Sequence, residues 1–328
     1  MADSRFNEDG LLFEARNYAE TMNGEVKDYL AAHRTDMTVE VREGKPLFVT
    51  RFDAEEPRGT VTVVHGFTEC GEKFSELICS LLRNRWSVLA LDQRGHGKSW
   101  RDERVTDRSL VHVDRFDDYI LDLRAVCDQV LEKMPEPRML FSHSMGGAVA
   151  ALFLERYPGV FEKAVFCAPM IACQRMGLPF FTGKLLCRGA GLAGKKTQRA
   201  FFSKPYSGKE EFETSCATSR ARFDWYEELR AEHEEYRTNG PSYSWTLQAL
   251  GVSQKILWPG AVEKIGIPIL MYTAETDNQV LESAQKMFMK RVKNGTRKTV
   301  KGAKHEIYRS TDDVLFPWWH EILGFFAG

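Results

Sequence analysis

Along most of this chain, short runs of β-branched and apolar residues alternate with stretches of helical period, and few architectures accept that order. Gly59 to Val64, Ser87 to Leu91, Arg138 to Phe141, Ala164 to Cys167 and Pro268 to Tyr272 are such runs. Helical stretches from Lys73 to Asn84, Asp114 to Lys133 and Met145 to Tyr157 separate the first four. Apolar runs without polar alternation are expected to be buried on both faces, hence parallel and covered by helices. Right-handed crossovers stack such strands into a mostly parallel, doubly wound sheet of the α/β class. Ahead of them, Thr38 to Val41 and Pro46 to Phe52 flank the turn-like Arg42-Glu43-Gly44-Lys45 and predict a hairpin. After Tyr272 a helix is expected over Glu282 to Val292, a short strand over Arg297 to Val300, and a last helix ending near Phe326.

From about Ile171 to Ala261 the alternation stops, giving way to a glycine-punctuated stretch and then a charged helical one. Residues 171–261 are therefore expected to form an inserted, largely helical cap on a catalytic core made of 1–170 and 262–328. A length of 328 residues needs no second domain on that reading. With 45 basic against 46 acidic side chains, no net field draws the chain to nucleic acid. Met1 to Asp36 lacks an apolar core of signal-peptide length, and no segment approaches about 18 uninterrupted apolar residues, so a cytoplasmic protein is expected. The seven cysteines form no CxxC or Cys/His zinc spacing, and an odd number argues against a closed disulfide framework.

Ser142-His143-Ser144-Met145-Gly146-Gly147 falls directly between an expected strand and an expected helix, where a nucleophile elbow belongs. Such a turn strains the central serine, and the positions two before and two after must be small for strand and helix to approach. Serine replaces glycine at 142, and a helix start capped by Ser142 or Ser144 is the plain alternative. A serine hydroxyl needs a base to take its proton, and the base needs a third group to hold its tautomer. Asp277 follows the run ending at Tyr272, and His305 follows the last expected strand, giving the order Ser, Asp, His. Asp277 also suits a turn, and Glu275 competes for the acid role. His33, His112, His233 and His320 fall on or before expected helices, which leaves His305 as the base. The loop His65-Gly66-Phe67 ends an expected strand, so the N–H groups of Phe67 and Met145 are candidates for an oxyanion hole. Asp92-Gln93-Arg94-Gly95-His96-Gly97-Lys98-Ser99 lacks phosphate-loop spacing and reads as a structural glycine-rich turn.

Together these motifs resemble α/β-hydrolases of the monoacylglycerol lipase and lysophospholipase branch, over about residues 39 to 328. Gly240-Pro241-Ser242-Tyr243-Ser244-Trp245 looks like a segment of the bacterial lysophospholipases. The resemblance implies an α/β-hydrolase fold and hydrolysis of the carboxylic ester of a single-acyl lipid, with no metal or organic cofactor. A prolyl-type aminopeptidase of the same fold, or a catalytically silent ligand-binding relative, are the alternatives.

Between Ile171 and Lys209 the chain carries Arg175, Lys184, Arg188, Lys195, Lys196, Arg199, Lys204 and Lys209 without an Asp or Glu, interleaved with Met176, Leu178, Phe180, Phe181, Leu185, Leu186, Leu192, Phe201 and Phe202. Apolar anchors among basic residues suit peripheral contact with an anionic membrane surface. Neutralisation by the acidic stretch Glu210 to Glu235 is the competing reading.

Overall fold

A computed structural model describes residues 5–42, 44–174 and 180–328. Its strands are β1 (Arg34–Glu40), β2 (Pro46–Phe52), β3 (Thr60–Val64), β4 (Ser87–Leu91), β5 (Arg138–His143), β6 (Lys163–Cys167), β7 (Ile269–Thr276) and β8 (Gly295–Lys304). They form one sheet in the order β1-β2-β4-β3-β5-β6-β7-β8. β1 and β2 pair antiparallel, β2 joins β4 antiparallel, and every pairing from β4 to β8 is parallel. Every residue of β3 and β4 is buried, as their uninterrupted apolar character requires of strands covered on both faces.

The helices are α1 (Tyr18–Thr21), α2 (Lys27–His33), α3 (Ser75–Arg83), α4 (Asp117–Gln129), α5 (Met145–Arg156), α6 (Phe180–Leu192), α7 (Arg220–Glu232), α8 (Tyr243–Ile256), α9 (Glu282–Met289) and α10 (Asp312–Ala327). One face of the sheet packs on α4, α5, α8 and α9, through residues such as Ile120, Val149, Val252 and Phe288. The other packs on α1, α2, α3, α7 and α10, through Tyr18, Leu30, Leu81, Trp225 and Trp319. These are the two faces of an α/β-hydrolase sheet. Segment 171–261 supplies α6, α7 and α8, but α8 buries Trp245, Ala249, Val252 and Ile256 in the same core as α5. Arg175, Met176, Gly177 and Leu178 of the basic stretch, and Glu43 of the hairpin turn, lie outside the described residues.

Three boundaries differ from the sequence expectation for physical reasons. β8 runs over Gly295–Lys304 and not only 297–300; as the sheet's edge it is largely exposed, so its Thr, Arg and Lys residues carry no apolar signal. β1 begins at Arg34, four residues before Thr38, because its outer residues also face solvent. The Asp114 to Lys133 stretch is a helix only from Asp117 to Gln129, then a 3₁₀ turn at Leu131–Lys133. Residues 5–33 fall outside the elements expected from the sequence. There the N-terminal arm is clasped by the buried Arg222, which donates to Leu12 O (2.8 Å), Glu76 Oε2 (2.9 Å) and Asp312 Oδ1 (2.9 Å).

Candidate active site

Register along the parallel strands brings the loops of interest to one edge. Val64 pairs with Ser142 and His143 with Cys167, so the turns after β3, β5 and β6 leave the sheet side by side. Ser144 sits between β5 and α5 with φ +50° and ψ −116°, a conformation that L-residues adopt only under strain. Closeness of the elements explains the glycines: a Cβ on Gly146 would stand 2.2 Å from Val64 O, and one on Gly147 2.4 Å from Pro169 Cβ. The serine at 142 is accommodated because its hydroxyl donates to Val165 O at 3.2 Å.

The structure brings Ser144, His305 and Asp277 together. His305 Nε2 lies 2.8 Å from Ser144 Oγ, and its Nδ1 lies 2.8 Å from Asp277 Oδ2. Asp277 is the first residue past β7 and His305 the first past β8, so both side chains are held by strand ends. The other Asp277 oxygen accepts from Gln279 N (2.8 Å) and Val280 N (3.1 Å). Burial pushes this carboxyl's pKa up, but the hydrogen bond and charge of His305 and the two amides outweigh it and hold it below the ordinary carboxylate value. Glu275, its rival, is exposed and accepts from Gly302 N at 2.9 Å. The other histidines are elsewhere: His33 contacts Tyr29 O, His112 contacts Ser242, His233 ends α7 and His320 pairs with Asp9.

The loop from His65 to Glu69 lies against the serine, since a Cβ on Gly66 would be 2.9 Å from Ser144 Cβ. His65 is buried and structural: Gln93 N donates to its Nε2 (2.8 Å), and its Nδ1 lies 2.7 Å from Gly66 O. Met145 is the first residue of α5, so its N–H has no acceptor within the helix. The turn from Asp92 to Ser99 braces this edge, with Asp92 accepting from Gly71 N (2.7 Å) and Lys98 N (2.9 Å).

Beneath the serine lies a polar network that the sequence did not disclose. Glu69 Oε2 accepts from Gly66 N (2.5 Å) and meets His143 Nδ1 at 2.9 Å. Its Oε1 accepts from Tyr308 OH (2.5 Å) and Lys73 Nζ (3.2 Å), and Lys73 also donates to Glu306 Oε1 (2.6 Å). His143 Nε2 is 3.3 Å from the His305 carbonyl. Burial alone would raise the Glu69 pKa, but His143 and Lys73 hold it well below the usual value. Burial likewise disfavours the His143 cation, yet Glu69 draws its pKa above the ordinary value. The pair thus joins the Gly66 amide, the residue before the serine, and the backbone of His305. Only the i, i+4 spacing of Glu69 and Lys73 hinted at it.

A cavity of about 960 Å³ opens over Ser144 and His305. Met170, Leu186, Phe201, Trp245 and Leu250 give it an apolar wall, while Glu69, Lys73, Glu227, Arg230, Glu306 and Arg309 line a polar end. Among the described residues, the groupings of His and carboxylates that could hold a metal are Glu8-Asp9-His320 and Asp102-His112-Asp114; neither includes Ser144, Asp277 or His305.

The family model described as serine aminopeptidase, S33, matches residues 55–312. Lysophospholipase L2 of Escherichia coli is 29% identical over 290 residues, 86% of this chain and 84% of that protein. The human monoglyceride lipase is 32% identical over 116 residues, 35% of this chain and 36% of its own length. Among solved structures, the monoacylglycerol lipase of Paleococcus ferrophilus superposes with a TM-score of 0.65 at 21% identity, over 85% of this chain and 97% of that one. A soluble variant of the Saccharomyces cerevisiae monoglyceride lipase, in complex with a substrate analogue, gives 0.68 at 16% identity, over 89% and 94%.

Proposed function

The chain belongs to the serine aminopeptidase S33 family of α/β-hydrolases, and from that premise we propose that it hydrolyses carboxylic esters of single-acyl lipids, a lysophospholipid or a monoacylglycerol, through an acyl-enzyme. The carrying observation is His305, placed between Ser144 Oγ and Asp277 Oδ2 at 2.8 Å from each. His305 Nε2 takes the hydroxyl proton as Ser144 Oγ attacks the ester carbonyl, and Asp277 holds the ring and supports the imidazolium that forms. The N–H groups of Phe67 and Met145 receive the charge developing on the carbonyl oxygen; loss of one such donor costs about 2.7–4 kcal/mol in other serine hydrolases. The alcohol leaves with the proton from His305, and water activated by the same ring releases the fatty acid. An acyl chain suits the apolar wall of the cavity, a head group its polar end, and 171–261 acts as the cap over both. The names of the relatives support this substrate class.

An aminopeptidase would need carboxylates ready for a substrate ammonium. At the polar end, Glu69 serves His143, Lys73 and Tyr308; Glu227 serves Arg230; and Glu306 serves Lys73 and Arg309. These engagements favour the ester reading. The deciding experiment offers lysophospholipid, monoacylglycerol, p-nitrophenyl esters and aminoacyl amides to wild type and Ser144→Ala. Ester turnover and fluorophosphonate labelling are expected in wild type and absent from the folded variant. Labelling that persists at another serine, or amide turnover alone, would overturn the assignment.

A further inference from the structure

The loop between β4 and α4 carries a second grouping of metal-ligating side chains, away from Ser144 and tied to the 171–261 segment. His112 is 5% exposed, and its Nε2 has no hydrogen-bond partner among the described residues. That nitrogen stands 3.5 Å from Asp114 Oδ1 and 3.8 Å from Asp102 Oδ2. The other ring nitrogen, Nδ1, is 2.9 Å from Ser242 Oγ. In the tautomer that donates from Nδ1 to Ser242, the Nε2 lone pair is available to ligate an ion shared with the two carboxylates.

The spacing fits such an ion. Tetrahedral zinc with bonds of about 2.0–2.1 Å sets its ligand atoms about 3.3–3.4 Å apart. Separations of 3.5 and 3.8 Å reach that with small side-chain movements. Ser242 supplies the outer hydrogen bond that orients a liganding imidazole. Asp102 and His112 also line a cavity of about 340 Å³, which offers an entry path and room for water to complete the coordination. Arg104 bridges the carboxylates, with NH2 donating to Asp102 Oδ2 and, at 2.6 Å, to Asp114 Oδ2, while Lys196 Nζ lies 3.1 Å from Asp114 Oδ1. These cations neutralise the acids but leave Nε2 unserved, and both side chains are about half exposed, able to withdraw into water.

We propose that Asp102, His112 and Asp114 form a site for a divalent transition-metal ion of the zinc type, which displaces Arg104 and clasps the β4–α4 loop to the segment leading into α8. Backbone pairing already joins the two, with Val111 N donating to Gly240 O (3.0 Å) and Ser242 N to Val111 O (2.9 Å). The ion would lock that joint through Ser242, which caps α8 by accepting from Trp245 N.

The test titrates the chelator-treated full chain with Zn²⁺ by calorimetry and follows thermal unfolding, which a ligand of the folded state shifts upward. Asp114→Asn, on a partly exposed side chain, and His112→Gln should each weaken Zn²⁺ binding by about tenfold or more. Arg104→Met should tighten it by removing the competing cation. Circular dichroism confirms that each variant is folded. Zinc held by the half-buried Cys173 or Cys216 would respond to neither Asp114→Asn nor Arg104→Met. Unchanged affinity in both, or no Zn²⁺ binding by wild type, overturns the proposal.

Discussion

At the scale of single residues, the acid of the proposed triad is the sharpest choice, since Asp277 and Glu275 are two positions apart on a strand end. Successive strand residues point to opposite faces, but β7 ends at Thr276, and only Asp277 turns toward His305. Asp277→Asn should lower kcat by orders of magnitude, about 10⁴ in the best-studied serine protease triad, with little change in KM. Glu275→Gln should turn over like wild type. Steady-state kinetics on a soluble p-nitrophenyl ester checks both, and the opposite pattern would transfer the role to Glu275. Ser144 and His305 were legible because strand–turn–helix and strand–loop contexts are local. Glu69 and His143 were not, since their partnership spans 74 residues and only the sheet register creates it.

At the scale of elements, α5 carries the elbow and hides a liability near its far end. Glu155 is buried, its Oε1 has no hydrogen-bond partner among the described residues, and burial pushes its carboxyl up to about 8, against the lesser pull of Arg156 and Arg291. The folded protein therefore keeps a proton there that the unfolded chain releases near 4.5. Native binding of more protons means that this group's contribution to stability falls as pH rises from about 4.5 to about 8. Glutamine cannot ionise, so the gain in Tm of Glu155→Gln over wild type should be small at pH 5 and reach about a few degrees by pH 8. A gain independent of pH across that range would show that ionisation of Glu155 is not the cause. Helix α5 itself was readable from its apolar composition, whereas β8 was readable only over Arg297 to Val300, because the ends of an edge strand need no buried face to be held by a neighbour.

On the scale of the whole molecule, the basic half of the 171–261 segment divides in two. Arg199 pairs with Asp107 at 2.7 Å and Lys196 with Asp114 at 3.1 Å, and Lys209 comes within 3.8 Å of Glu228. Of these three acids only Glu228 belongs to the stretch Glu210 to Glu235 of the competing reading; Asp107 and Asp114 come from the β4–α4 loop. On α6, Leu186 and Cys187 line the cavity over Ser144, while Leu185 is 72% and Leu192 92% exposed beside Arg188. Among the described residues no helix is long and apolar enough to cross a membrane. We expect α6 to meet an anionic lipid surface with that outer face, adding about 1 kcal/mol per basic residue near it. Co-sedimentation with anionic but not neutral vesicles, weakening with salt, is the expected result. Leu185→Ser with Leu192→Ser should abolish it while leaving turnover of a short soluble ester unchanged; undiminished vesicle binding by the double variant would refute the role of α6.

What the residues determined unaided is whatever depends on neighbours in sequence: the order of strands and helices outside 5–33 and 171–261, the strand–turn–helix context of Ser144, and the loops bearing Asp277 and His305. These rest on periodicity, turn chemistry and chain order, which are properties of short segments. Tertiary structure alone decided which distant groups meet. Arg222 binds the N-terminal arm, α3 and α10 together; Glu69 reaches His143; and His112 turns a ring nitrogen toward Asp102 and Asp114. The first two are buried polar contacts whose formation is favourable only after the fold has brought their members out of water, and all three join residues distant in sequence or set by loop geometry, so no window of sequence can announce them.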